Sequence, residues 1–401
     1  MHSVFQFIST TAIYLVVIVL SVLLNVQAEI KHKKRKKREF RLLSLISILL
    51  PCLLAAFRGE TVGNDVLVYA QPCYFLANRA SGLVELFSQD TRFEYGYLAL
   101  GYLSSHVFNS FNVMLFFTQL MIVAPIYIGA HKFRNRIPAW STLLCFYFFF
   151  YVETFNIMRQ GIAVSFLFLA LAEYVDCKKI RALCIAAIAI LFHNTAIIGA
   201  SLLLFVILFS KISNKQIKML LFFLVTVAVP LVMSRWTSIL TALSSLGIIK
   251  ARYANYIGYF GNKAYFTQLG LGNYLELGVR WLGCIIPFIF RRRKLIKNEN
   301  HSSHDDLVYS LAIGTLLATL IYTAVFIWLH SSYGYRVSFY LEILFILWMS
   351  TLVKKGGNIN IEHAHLGTVI MIATSFLCFI IIYMWRGMHG TLPFYFQIYD
   401  F

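Results

Sequence analysis

Asp65, Glu94 and His193 can each accept a proton near neutral pH, and each lies in a short polar interruption of an apolar sequence. Around them stand arginines able to hold an anion through a planar, bidentate fork: Arg58, Arg159, Arg252 and Arg336. The first interruption, "FRGETVGNDVLVY" (57–69), adds Gly59 and Gly63, which let backbone approach a ligand, and Tyr69. Glu94 is followed by Tyr95. Arg159 is bracketed by Asn156 and Gln160, and Arg336 by Tyr333 and Tyr335. Arg252 shares "ARYANYIGYFGNKAYF" with Tyr253 and Tyr256. The chemistry this set suits is proton abstraction beside a bound anion. Each piece also has a plainer reading: a solvated turn with Arg58 snorkelling to head groups, tyrosines anchored at an interface, or His193 as a satisfied buried histidine.

Such residues need a scaffold, and composition defines it. The 401 residues are 59% hydrophobic and 13% charged, with mean hydropathy +0.72. Soluble domains are nearer one-quarter charged, so the expected class is all-α: a single polytopic integral membrane domain over 1–401. Alternating segments of a β-barrel are absent from the sequence. The net charge of +18 would suit nucleic acid, but the excess sits in short loops between apolar runs, which is a topological signature. No nucleic-acid partner is expected. The seven cysteines (52, 73, 145, 177, 184, 284 and 378) form no CxxC, against a disulfide framework or a zinc site. P-loop, GxSxG and HExxH motifs are missing, which disfavours nucleotide hydrolysis and metalloproteolysis. No cofactor is called for. A metal is not required either, although carboxylates 65 and 94 would be suitable ligands.

The charge pattern orders the spans. Span 4–26 ends in Val26-Gln27-Ala28, a passable cleavage site, but the strongly basic stretch that follows favours an uncleaved first span. The basic loops 29–41, 131–138, 176–181, 211–218, 291–306 and 354–365 are read as cytoplasmic; 58–110 and 235–274 are read as outer loops. About twelve transmembrane helices follow, with both termini outside and a short re-entrant or interfacial helix at 93–108. The apolar block 182–209 would be about 42 Å long as one helix, yet basic segments flank it on both sides. It is expected to be a hairpin broken at Phe192-His193-Asn194-Thr195. Of the 35 Lys and Arg, 24 fall in the assigned inner loops; nine of the other 11 are arginine, a bias suited to phosphate.

In order and spacing, "FRGETVGNDVLVY", "FEYGY", "FNIMRQGIAVSFLFLA", "FHNTA" and "YGYRVSFYLE" resemble the EpsG-like branch of the Wzy-type polysaccharide polymerases. The likeness runs over about residues 50–345. One departure is Asn64, where the family usually has threonine before the aspartate. The resemblance implies polymerisation of undecaprenyl-diphosphate-linked oligosaccharide repeat units on the outer face of the bacterial inner membrane. A hydroxyl of one lipid-linked unit would attack the anomeric carbon of another, and the lipid diphosphate would leave. The implied partners are that donor and acceptor, membrane lipid, and in addition a chain-length regulator and a flippase. On this reading Arg58, Arg159 and Arg336 hold pyrophosphate, and His193 is the first choice of base. Asp65 or Glu94 orients substrate or replaces it, while Gly63, Tyr69, Tyr95, Gln160, Arg252 and Tyr335 line the site. Ligases and other membrane glycosyltransferases would use the same arginines. A flippase would need charges on both leaflets and an internal repeat, which the sequence lacks.

Overall fold

The computed structural model describes residues 4–212, 214–246, 271–296, 303–329, 336, 338–353, 361–385 and 390–400. Arg252 and Tyr335, with Tyr253, Tyr256 and Tyr333, lie outside the described residues. The described secondary structure is helical, apart from one antiparallel bridge between Arg58 and Phe396. Six described helical segments are long and apolar enough to cross a membrane: Val4–Lys33, Lys37–Ala56, Phe111–Phe133, Met158–Val175, Leu307–Ala324 and His365–Met384. Shorter apolar helices occupy Ala139–Tyr151, Ala196–Phe209, Gln216–Ala228 and Phe339–Ser350. The chain divides into two compact units, one of residues 1–200 and 349–401, the other of 201–348.

In the first unit, α1 (Val4–Lys33) and α2 (Lys37–Ala56) form an antiparallel pair. The buried positions of α1, from Thr10 and Tyr14 through Ile18, Ser21, Val22 and Asn25 to Ala28, recur at helical spacing and define one packing stripe. Ser47 Oγ of α2 donates to Ser21 O at 2.8 Å within that seam. Short helices follow: α3 (Gln71–Arg79), α4 (Leu83–Ser88) and α5 (Tyr95–Tyr102), the last extended by a π-helical stretch to Val107. At about 1.5 Å per residue that extension spans near 20 Å, too little to cross, in keeping with a short helix at 93–108. α6 (Phe111–Phe133) packs on α2 and on α8 (Met158–Val175), which is buried along nearly its whole length. Between them come α7 (Ala139–Phe146), a π-helical turn to Tyr151 and a tight turn at Glu153–Phe155. Gly129 of α6 makes room for Phe168 of α8, and Gln119 reaches Thr154 at 3.2 Å.

The apolar block at 182–209 is two helices, α9 (Lys179–Phe192) and α10 (Ala196–Ser210), broken at the expected tripeptide, where His193 is extended. α9 packs on α8 and α5. One end of this unit carries basic-loop residues in ion pairs: Lys132 with Glu173 at 2.9 Å, and Arg136 with Asp176 at 3.8 Å. The polar motifs gather at the opposite ends of α2 and α8.

The second unit holds α11 (Lys215–Ser234), α12 (Trp236–Ser245), α13 (Leu271–Ile296), α14 (Ser303–Leu329) and α15 (Phe339–Ser350). α14 packs against α11 and α13. Arg280 of α13 meets Glu342 of α15 at 2.6 Å and Glu276, one turn back, at 3.2 Å. Tyr322 of α14 donates to Glu276 at 2.6 Å. Returning to the first unit, α16 (Ile361–Phe379) continues as a π-helical segment to Trp385, and Tyr383 donates to Phe149 O at 2.6 Å.

Candidate functional site

α2 ends at Ala56, Phe57 caps it, and the next residue is Arg58. Its guanidinium is 1% exposed, lies 4.3 Å from the centroid of the Phe155 ring, and donates to Ala55 O at 3.3 Å and Met158 Sδ at 3.5 Å. Its Nε has no hydrogen-bond partner, and no carboxylate lies within ion-pair distance among the described residues. Burial pulls the pKa of this group below the ordinary arginine value. A cation held out of water without a counter-ion is costly, and such residues in membrane proteins mark ligand or ion paths.

The loop that follows is locked to the loop ahead of α8. Gly63 has φ +91°, and a Cβ there would lie 2.6 Å from Phe155 O and 2.8 Å from Phe155 Cβ, so only glycine fits. Asn156 Oδ1 accepts from Asn64 N at 2.7 Å, and Asp65 Oδ2 accepts from Met158 N at 3.2 Å. Asp65 is buried, with its carboxylate on the first N–H of α8, where the helix dipole favours negative charge. Directly after it the chain winds into a π-helical turn at Val66–Ala70 that carries Tyr69.

Arg159 occupies the second position of α8. Its Nη1 meets Glu94 Oε2 at 2.6 Å and donates to Arg92 O at 3.2 Å; its guanidinium lies over Tyr69 at 4.5 Å and Phe93 at 5.6 Å. Glu94 caps α5 through its backbone, with Tyr97 N and Leu98 N both donating to its carbonyl at 3.0 Å. Its other carboxylate oxygen accepts from Asn194 N at 3.4 Å. One glutamate thus ties α5, α8 and the α9–α10 break together. Gly96 allows this approach, since a Cβ there would sit 2.8 Å from Leu191 O.

His193 stands in that break. Its Nδ1 accepts from Thr195 N at 3.3 Å and lies 2.7 Å from Thr195 Oγ1. A nitrogen that accepts a backbone N–H carries no proton, so the neutral ring has its proton on Nε2. In this arrangement the Nδ1 lone pair of His193 is engaged with Thr195.

The first unit therefore brings together Arg58, Gly63, Asp65, Tyr69, Glu94 and Arg159, with the His193 tripeptide on Glu94. Gln160 is buried beside Arg159. Tyr95 is exposed, its ring edge-on to Phe87 at 5.3 Å. Arg336 belongs to the second unit. Among the described residues no three His, Cys, Asp or Glu side chains converge as metal ligands.

Sequence reasoning missed a strap formed by residues 390–400. Tyr395 O accepts from Gly59 N at 2.8 Å, Phe57 O accepts from Gln397 N at 2.8 Å, and Gly390 O accepts from Gly63 N at 3.1 Å. Tyr399 donates its hydroxyl to Arg58 O at 3.0 Å, and the Tyr395 ring fills the space where a Gly59 Cβ would stand. Asn112 of α6 pins the strap from the far side, donating to Gln397 O at 3.0 Å and accepting from Tyr399 N at 2.9 Å. The aromatic run Phe394-Tyr395-Phe396 after Pro393, with Tyr399, was the available signal.

The EpsG family model matches residues 41–400, and the chain belongs to that family, which connects it to exopolysaccharide biosynthesis. No curated protein and no solved structure matches it.

Proposed function

We propose that the protein is a membrane glycosyltransferase that polymerises undecaprenyl-diphosphate-linked oligosaccharide repeat units into a surface polysaccharide. The observation that carries this reading is the buried Arg58 without a counter-ion among the described residues, two residues past an apolar helix and in the same loop as the buried carboxylate of Asp65. Anion and proton acceptor are the two needs of glycosyl transfer from a lipid diphosphate. Family membership supplies the substrate class. We take the chain to span the bacterial cytoplasmic membrane about twelve times, with the motif end facing outward and the basic loops inside.

In the proposed step the hydroxyl oxygen of one lipid-linked unit bonds to the anomeric carbon of the other. The bond from that carbon to phosphate oxygen breaks, and undecaprenyl diphosphate leaves with the electron pair. Arg58 and Arg159 stabilise the charge that develops on the leaving oxygens; for Arg336 the proposed role is likewise phosphate binding. The hydroxyl proton passes to a carboxylate. Asp65 takes first place because Glu94 is already neutralised by Arg159. With its Nδ1 on Thr195, His193 is proposed here as a donor through Nε2–H rather than as the base first expected. Gly63 holds the loop, Tyr69 and Tyr95 offer faces to sugar rings, and Gln160 supports Arg159. Arg252 and Tyr335 remain proposed contacts of the substrate. A chain-length regulator and a flippase are the proposed protein partners.

The test is turnover of a matched undecaprenyl-diphosphate oligosaccharide by purified protein, comparing wild type with Arg159→Lys, Asp65→Asn and His193→Ala. A ladder from wild type, and none from Arg159→Lys or Asp65→Asn at normal expression, supports polymerisation at this site. Transfer of a single finished chain to a different lipid acceptor would mean a ligase. Translocation without any longer product would mean a flippase.

A further inference from the structure

Arg92 is exposed, yet it is held. It donates to Val68 O, and its guanidinium lies 5.0 Å from the centroid of Tyr69 and 5.4 Å from that of Phe93. These are the two rings that also carry Arg159, and the Arg92 carbonyl accepts from Arg159 Nη1. The two guanidinium carbons are thus no farther apart than their two distances to the Tyr69 ring taken together. Their charges differ in standing. Arg159 is buried and matched by Glu94, whereas Arg92 has no carboxylate within ion-pair distance among the described residues. Two like charges share one aromatic clamp, and the one facing solvent is unmatched.

A guanidinium has five N–H donors, and the Val68 carbonyl occupies one of Arg92's. A carbonyl and two rings already fix the side chain, so gripping an anion with the remaining donors costs less ordering than for a free surface arginine. We infer that Arg92 is a phosphate-binding residue of this site, contacting the diphosphate of a lipid-linked substrate at its exposed edge, with the Arg159–Glu94 pair behind it as support. The inference rests on the reading of the site as a lipid-diphosphate site. The same chemistry would also hold the phosphate of an ordinary anionic head group, so the experiment separates the two.

The full chain is placed in phosphatidylcholine nanodiscs, and binding of undecaprenyl diphosphate is measured for wild type, Arg92→Gln and Arg92→Lys, beside retention of phosphatidylglycerol from mixed bilayers. Neither substitution touches the carbonyl that serves Arg159. Arg92→Gln is expected to weaken undecaprenyl diphosphate binding about 10- to 100-fold with an unchanged Tm, and to flatten its salt dependence. Arg92→Lys, which keeps charge but loses the fork, restores only part of the affinity. Equal diphosphate binding by wild type and Arg92→Gln overturns the inference and leaves the wider site standing. A loss confined to phosphatidylglycerol also overturns it, assigning Arg92 to bulk lipid. No diphosphate binding by wild type removes the wider reading and this one together. Should the glutamine variant fail to fold, the lysine variant decides: unweakened diphosphate binding rejects the role.

Discussion

The two units each bury an arginine against glutamate beneath a tyrosine ring, and the distances nearly coincide. Arg159 meets Glu94 at 2.6 Å and lies 4.5 Å from the Tyr69 centroid; Arg280 meets Glu342 at 2.6 Å and lies 4.2 Å from that of Tyr322. Their surroundings differ. Arg280 stands between two carboxylates supplied by α13 and α15, with Tyr322 of α14 on one of them, so the cluster fastens three helices. Arg159 has a single carboxylate in ion-pair contact, and its neighbours include the exposed cation Arg92. Arg58, without a counter-ion, reaches Met158, the residue before Arg159. On the proposed reading, the same kind of pair works as a pin between helices in the second unit and as one wall of an anion site in the first.

That comparison is sharpest under replacement. Arg159→Ala and Arg280→Ala should each cost about 3–5 kcal/mol, because each strands a glutamate largely removed from water. Neutralising whole clusters separates them: Arg280→Met with Glu276→Gln and Glu342→Gln should regain most of that stability and keep polymer formation. Arg159→Met with Glu94→Gln should regain stability and stay inactive. Tm and product ladders on the same preparations check both, and a folded but inactive second-unit triple variant would break the contrast. Next in size, Gly63→Ala should destabilise by about 1–3 kcal/mol, since a left-handed residue would be pressed against a carbonyl. Asp65→Asn keeps an oxygen for Met158 N–H and should cost roughly 1 kcal/mol in stability, while slowing turnover about 10²- to 10⁴-fold. Equal losses in stability and rate would make Asp65 a cap alone. The smallest effect belongs to Tyr399→Phe, about 0.5–1.5 kcal/mol for one hydrogen bond to Arg58 O, read as a shift in Tm.

The helices were legible because apolar runs and basic flanks report burial and loops residue by residue. The break at His193 was legible for the same reason: three polar residues interrupt an otherwise uniform block. Arg58, Asp65, Glu94 and Arg159 stood out as polar groups in apolar context. Their pairings did not, since Glu94 and Arg159 are 65 positions apart and nothing local in either segment encodes the other. The Nδ1 contact between His193 and Thr195 depends on local backbone geometry, which composition does not carry. Arg92 was visible only as one of several arginines expected outside, because what distinguishes it is the pair of rings it shares. Of the twelve expected crossings, short helices prolonged by π-helical turns, such as Ala139–Tyr151, make counting by length ambiguous.

The strap has a consequence for biosynthesis. Residues 390–400 supply backbone partners to residues 57–63, more than 300 positions earlier, and are held in turn by α1: Phe394 N donates to Thr10 Oγ1 at 2.9 Å and Tyr14 donates to Thr391 O at 3.3 Å. A nascent chain can insert its hydrophobic segments one by one as the ribosome delivers them, but the loop around Arg58 has to wait. Translation that stops short of residue 390 would leave inserted helices with an unfinished loop, open to proteolysis. Maturation of this end of the protein is thus tied to arrival of residues 390–400 rather than to membrane insertion of the helices alone.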